Sequence, residues 1–168
     1  MNEEQIMKLM NTIDYGWIDK NKTKHIDDFE FFSNEYILQS PEELVNSKLG
    51  TCWDQVELER EFFKNNKTIK TFFIVNYDNK KTPTHTFLTY KKGNNYYWFE
   101  HSWEKFRGIH QYNSLELLLK DVYNKFVENE LESNSNKNII IYEYSKPKYH
   151  ISVQEFYKHC EQGTIINL

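Results

Sequence analysis

Three strand signatures in a row, between residues 68 and 102, narrow the possible folds more than any other part of this chain. Residues 68–77 carry Ile69, Thr71, Phe72, Phe73, Ile74 and Val75 with little polar interruption, the composition of a strand buried on both faces. A polar turn at 78–83 leads into Thr84-His85-Thr86-Phe87-Leu88-Thr89-Tyr90. Tyr96-Tyr97-Trp98-Phe99-Glu100-His101 then follows across a short connection with Gly93 at its centre. Two aromatic and β-branched runs joined this way predict a β-hairpin. The chain is thereby expected to build an antiparallel sheet.

The hairpin also limits which side chains can meet. With a two-residue loop at Lys92-Gly93, or a four-residue loop at 91–94, His85 stands directly opposite Glu100. A loop over 92–95 shifts the pairing by two residues and leaves them diagonal on one face, whereas an odd-length loop separates them. His101, next to Glu100, points to the other face. A histidine facing a glutamate can be a structural hydrogen bond or a base with its orienting acid. The choice depends on whether a nucleophile lies nearby.

Leu49-Gly50-Thr51-Cys52-Trp53-Asp54 reads as a loop turning into a helix. Thr51 is a good N-cap, and Asp54 can reach back to the cap amide. Cys52 then sits at the first helical position, over unpaired N–H groups and the positive end of the helix dipole, which favour thiolate over thiol. A cysteine there can also be a small buried hydrophobe. Coupled with His85 and Glu100, it supplies nucleophile, base and acid in chain order, the parts that cysteine acyl transfer requires.

Gly50-Thr51-Cys52-Trp53-Asp54, His85-Thr86-Phe87 and Trp98-Phe99-Glu100-His101-Ser102-Trp103 together resemble the three blocks of the transglutaminase-like superfamily core, with its papain-like Cys-His-acid arrangement. The match covers roughly residues 40–105. The resemblance implies an α+β, transglutaminase-like or cysteine-proteinase-like fold, in which the catalytic helix packs on an antiparallel β-sheet. It also implies Cys52 as nucleophile, His85 as base and Glu100 as the third member. Two departures stand out: the third residue is usually aspartate, and the Gly-Ile-Pro-Ala-Arg-like run after the cysteine helix is replaced by Asn65-Asn66-Lys67-Thr68-Ile69. The superfamily includes proteases, peptide N-glycanases, protein cross-linkers and inactive relatives. Its oxyanion donor tends to come from upstream of the cysteine, which makes Trp17 a candidate, with Gln39 competing.

The rest of the chain frames this core. Ile6, Met7, Leu9, Met10 and Ile13 predict a first helix, capped by Asn2 and Gln5 and stopped by Gly16. Residues 17–39 read as irregular with short strands. Ser40-Pro41-Glu42-Glu43 starts a short helix to about residue 46. The Cys52 helix is expected to reach about residue 65, with Glu57, Glu59, Arg60 and Glu61 mostly solvated. Residues 107–110 read as a loop. Asn113 and Glu116 then cap a helix with an apolar stripe from Leu115 to Val127, and 128–138 reads as a surface loop. Residues 138–145 read as a further strand, and Ser152 with Glu155 caps a last helix carrying Phe156 and Cys160. The expected sheet comprises 68–77, 84–91, 95–102 and 138–145.

At 168 residues, with 17% aromatics, the chain is expected to form one transglutaminase-like domain over 1–168. A net charge of −4 without a basic block excludes nucleic acid as a natural partner. No run of about 18 apolar residues suggests a membrane span, and the acidic N-terminus does not read as a signal peptide. A reducing, cytoplasmic setting is expected, with Cys52 and Cys160 unpaired. A zinc site from Cys52, His85 and His101 lacks paired-ligand spacing, and no metal or cofactor is expected. His25, His110, His150 and His159 show no paired spacing either, and Cys160, inside a helix, reads as packing. The expected substrate is a peptide or protein amide, with hydrolysis as the default. The alternatives are an amine-accepting transglutaminase or an inactive module that binds a peptide or protein partner. Oligomeric state is not legible.

Overall fold

The computed structural model describes residues 1–78, 81–132 and 137–168. Helix α1 (Glu3–Met10) opens on the Asn2/Gln5 capping box and buries Ile6 and Met10. It ends at Asn11 rather than Gly16, so Ile13 is buried from the turn that follows. Three two-residue strands come next, β1 (Asp14–Tyr15), β2 (Trp17–Ile18) and β3 (Lys24–His25), then one helical turn, α2 (Phe32–Glu35). Helix α3 (Pro41–Ser47) has the Ser40/Glu43 capping box and its proline in the first turn, and it stops where Lys48 turns left-handed at φ 55°. The chain continues through β4 (Leu49–Gly50), α4 (Cys52–Phe62), β5 (Lys70–Asn76), β6 (Thr84–Lys92) and β7 (Asn95–Glu100). Its last elements are β8 (Gly108–Tyr112), α5 (Leu115–Glu130), β9 (Ile139–Tyr144), α6 (Val153–Glu161) and β10 (Thr164–Ile166). The loop expected at 128–138 and the turn at 78–83 lie partly outside the described residues.

Six strands form one antiparallel sheet in the order β10-β9-β5-β6-β7-β8. The four expected strands are its centre, and two short edge strands are additional. Gly108–Tyr112 is one of these: the stretch read as a loop pairs with β7, where His110 stacks on Trp98 at 4.6 Å. Five half-exposed residues are too few to show a period in the sequence. The α5 cap is Ser114 rather than Asn113, its hydroxyl accepting from Leu117 N at 3.1 Å.

Helices cover both faces of the sheet. On one, Trp53 and Val56 of α4 and Phe156 of α6 pack on Phe73, Val75 and Tyr142, while Ile6, Leu44 and Leu58 meet Leu88 and Phe99. On the other, Leu118, Val122 and Phe126 of α5 pack on Phe72, Ile74, Phe87 and Trp98. This explains the doubly apolar β5. It also encloses α4 between the sheet and α1 and α3, so Glu57 and Glu59, expected in solvent, are only 1% and 2% exposed. Glu57 accepts from Arg60 Nε at 2.8 Å, and Arg60 Nη2 donates to Thr71 Oγ1 at 2.6 Å, a pairing that makes burial of that carboxylate tolerable. Among the described residues no helix is long and apolar enough to cross a membrane.

Candidate active site

Cys52 is the first residue of α4, after Thr51 in extended conformation at φ −78°, ψ 176°. Asp54 reaches back to accept from the Thr51 N–H at 2.9 Å. The Thr51 hydroxyl donates to the same carboxylate at 3.1 Å. Asp54 accepts twice more, from the Tyr36 hydroxyl and the Gln39 N–H, each at 2.9 Å. Complete burial nevertheless outweighs these four donors and lifts its pKa to about 6. Gly50 is needed for close approach: a Cβ there would lie 2.6 Å from Leu44 Cδ1 and 2.9 Å from Asp54 Cβ. One turn into the helix, Gln55 Nε2 donates to Gly50 O at 3.0 Å, which ties the lead-in loop to α4.

The β6–β7 register takes the diagonal option. Lys92 pairs with Asn95 and Leu88 with Phe99 around a Gly93-Asn94 turn with Gly93 at φ 61°, so Phe87, not His85, stands opposite Glu100. His85 and Glu100 still share the face that carries Phe87 and Trp98. A diagonal neighbour is farther away than a direct one, and the extra methylene of glutamate spans the difference: His85 Nε2 lies 2.5 Å from Glu100 Oε1. Glu100 also accepts from Trp98 Nε1 at 3.2 Å, Ser102 Oγ at 3.3 Å and Trp103 N at 3.1 Å. Burial works against an imidazolium at His85. The Glu100 carboxylate, with the Cys52 sulfur within hydrogen-bonding reach, more than offsets it and raises the pKa to about 10. Nε2 is occupied by Glu100, so Nδ1 is the nitrogen left for the thiol. Helix α4 lies on the opposite face of the sheet, and the two meet where β6 begins.

The other candidates fall elsewhere. Trp17 is fully buried, donates its indole N–H to Asp28 O at 2.6 Å and stacks on His25 at 4.0 Å, so it has no donor left for an oxyanion. Gln39 is turned to the β4 side: Nε2 donates to Leu49 O at 2.7 Å and Oε1 accepts from Ser47 Oγ at 2.7 Å. The upstream group that the structure does bring to Cys52 is Tyr15, whose phenol lies close enough to feel the charge of the sulfur. Tyr15 is 46% exposed as a residue and borders the same cleft as Cys52, and burial of its phenol pushes the pKa well up. Parallel pairing of β1 with β4 sets Tyr15 beside Gly50. Two-residue strands have no periodicity, and only the sequence neighbourhood of Trp17 hinted at this region.

His101 points away from the His85 pair. Its Nδ1 lies 2.6 Å from Gln55 Oε1, an amide oxygen, so that nitrogen carries the proton. Burial and Arg107 lower its pKa to about 4. Among the described residues its Nε2 has no hydrogen-bond partner, nor do Thr86 Oγ1 and Glu59 Oε2, all buried; burial first, then the charge of Glu100, pushes the Glu59 carboxyl well up. Cys160 is fully buried in the α6 cluster, and burial raises its thiol pKa. His25 is held by Asp19, His110 by Phe106 O, His150 by Glu43 and His159 by Ser145 O. Among the described residues no three His, Cys, Asp or Glu side chains are placed to hold a metal ion.

A cleft of about 520 Å³ opens at Cys52, bordered by Tyr15, Phe29, Phe32, Trp53 and the 81–84 segment that leads into His85. The arrangement joins a thiol at a helix N-terminus, an imidazole oriented by a buried carboxylate, and a phenol donor at the mouth of that cleft. Compared with protein-family models and with curated proteins, the sequence matches none.

Proposed function

We propose that this protein carries out thiol-dependent acyl transfer on amide bonds, with water as the acceptor, as a cysteine protease or amidase of transglutaminase-like type. The observation that carries the reading is His85 itself, whose Nε2 is held 2.5 Å from buried Glu100 while the Cys52 sulfur lies within reach of the same ring. In this reading the thiol proton of Cys52 passes to His85 as the sulfur becomes the nucleophile, which is the work of a base held by a carboxylate.

The Cys52 sulfur attacks the amide carbonyl carbon, a C–S bond forms, and the carbonyl π electrons move onto oxygen. The Cys52 N–H and the Tyr15 hydroxyl, both beside the sulfur, hold that oxyanion. On collapse the C–N bond breaks, and His85 Nδ1 transfers its proton to the departing nitrogen. The neutral imidazole then takes a proton from water as its oxygen attacks the thioester. Hydrolysis returns the thiolate, the imidazolium and a carboxylic acid. Glu100 keeps Nε2 protonated throughout and stabilises the imidazolium.

The test is a screen of peptide and glycopeptide amides, with and without added amines, on native protein and Cys52→Ala. Turnover that Cys52→Ala abolishes is expected, and amine incorporation would assign a transferase instead. Brief alkylation of native protein should label Cys52 and spare Cys160. Preferential labelling of Cys160 in peptide mass maps would end the assignment.

A further inference from the structure

Four aromatic rings form a wall that runs away from Cys52. Tyr15 and Phe29 have centroids 6.1 Å apart, Phe29 and Phe32 5.7 Å, and Phe32 and Trp53 5.5 Å. All four border the cleft at the thiol, and past Phe32 and Trp53 it continues into a second cleft of about 520 Å³ bounded by Val153 and Tyr157. The two together form a groove within the size range of ligand sites. Tyr15 and Phe29 are 46% and 43% exposed. A contiguous apolar surface left open beside a reactive group marks a place where something apolar docks.

The path of the proton decides which part of a substrate lies there. The leaving nitrogen must meet His85 Nδ1, and the imidazole is flanked by Phe87 and Trp103, neither of which borders the groove. Cys52 does border it. The amine therefore departs on the His85 side, and the acyl portion extends along the aromatic wall. We propose that the groove binds the acyl half of a peptide amide through bulky aromatic or aliphatic side chains, making the protein selective for apolar sequence before the reacting bond. This rests on the acyl-transfer reading of Cys52.

Three reagents separate the two ideas. Iodoacetamide is too small to use the groove and reports the thiol alone. Acetyl-Phe-Leu and acetyl-Ser-Gly chloromethyl ketones react alike, the Cys52 sulfur forming a C–S bond as chloride leaves, and differ only in what they place along the wall. The Phe-Leu reagent is expected to label Cys52 at least about 10-fold faster, and Phe29→Ser and Phe32→Ser should each shrink that ratio toward one. A ratio within one protein cancels any general loss of reactivity. Equal rates in native protein, or a ratio that both variants leave intact, would overturn the groove assignment even with iodoacetamide labelling Cys52. If iodoacetamide leaves Cys52 unlabelled, the acyl-transfer reading falls. Fluorescence titration with the two peptides as simple amides then decides the groove: tighter binding of the Phe-Leu amide upholds it, and equal binding overturns it.

Discussion

Glutamine would fill the space of Glu100 but could not satisfy its neighbours. All four contacts of the carboxylate are with donors or with the His85 nitrogen, so an amide NH2 must oppose one of them. If it turns to His85, it stabilises the tautomer unprotonated at Nε2, which leaves Nδ1 carrying a proton and unable to act as base. Glu100→Gln should therefore cut the Cys52 alkylation rate or turnover by on the order of 10²–10⁴ and cost roughly 1–3 kcal/mol of stability. Glu100→Asp keeps the charge but not the diagonal reach, and should lose less. Rates and melting temperatures on the three proteins check both. The same pair sets a pH window. His85 has a folded pKa of about 10, above its ordinary value near 6.5, so its contribution to stability is full below about pH 6.5 and fades as pH rises through 10. The gap in urea midpoint between native protein and Glu100→Gln should narrow from pH 7 to 10.5. Cys52, His85 and Glu100 were legible because helix-start chemistry and strand alternation are local rules. Tyr15 was not, since a backbone pairing with residues far along the chain brings it to the thiol.

Helix α4 carries Cys52 on a heavily braced first turn. Asp54 holds the loop at Thr51, the α2–α3 connection at Gln39 and the hydroxyl of Tyr36, and every one of those donors is buried. Asp54→Ala would strand them, with an expected cost on the order of 3 kcal/mol or more in urea unfolding; Asp54→Asn, which keeps one acceptor oxygen, should cost less. A second brace runs from His101 through Gln55 to Gly50 and couples the end of the strand that bears Glu100 to the lead-in to Cys52. Gln55→Leu should lower Cys52 alkylation more than it lowers the melting temperature. Caps made α1, α3, α4 and α6 readable in the sequence, because Asn2, Ser40, Thr51 and Ser152 each meet a partner three residues on. Solvation of α4 was misread because its charged residues were judged by type, whereas Glu57 and Glu59 are buried by helices that come from distant parts of the chain.

Strand order was beyond local rules altogether. The hairpin and the apolar β5 told which residues form strands, but not that β9 would lie on the far side of β5, nor that β8 and β10 would form the edges. Those placements depend on packing α5 and α6 on opposite faces, which no window of sequence contains. The central position of β5 also has a kinetic side. Its partner β6 follows it directly, β7 follows β6, and these neighbours can zip as hairpins in microseconds, whereas β9 pairs with β5 across a much larger loop, as in the bond from Thr71 Oγ1 to Tyr144 O, 73 residues away. Closing that loop comes late. Until it does, Lys70–Asn76, with one lysine and four consecutive large apolar residues, presents an open strand edge of the kind that templates intermolecular pairing. Refolding yield should therefore fall as protein concentration rises, and a peptide spanning 139–144 added in trans should restore it by occupying the edge before a second chain can.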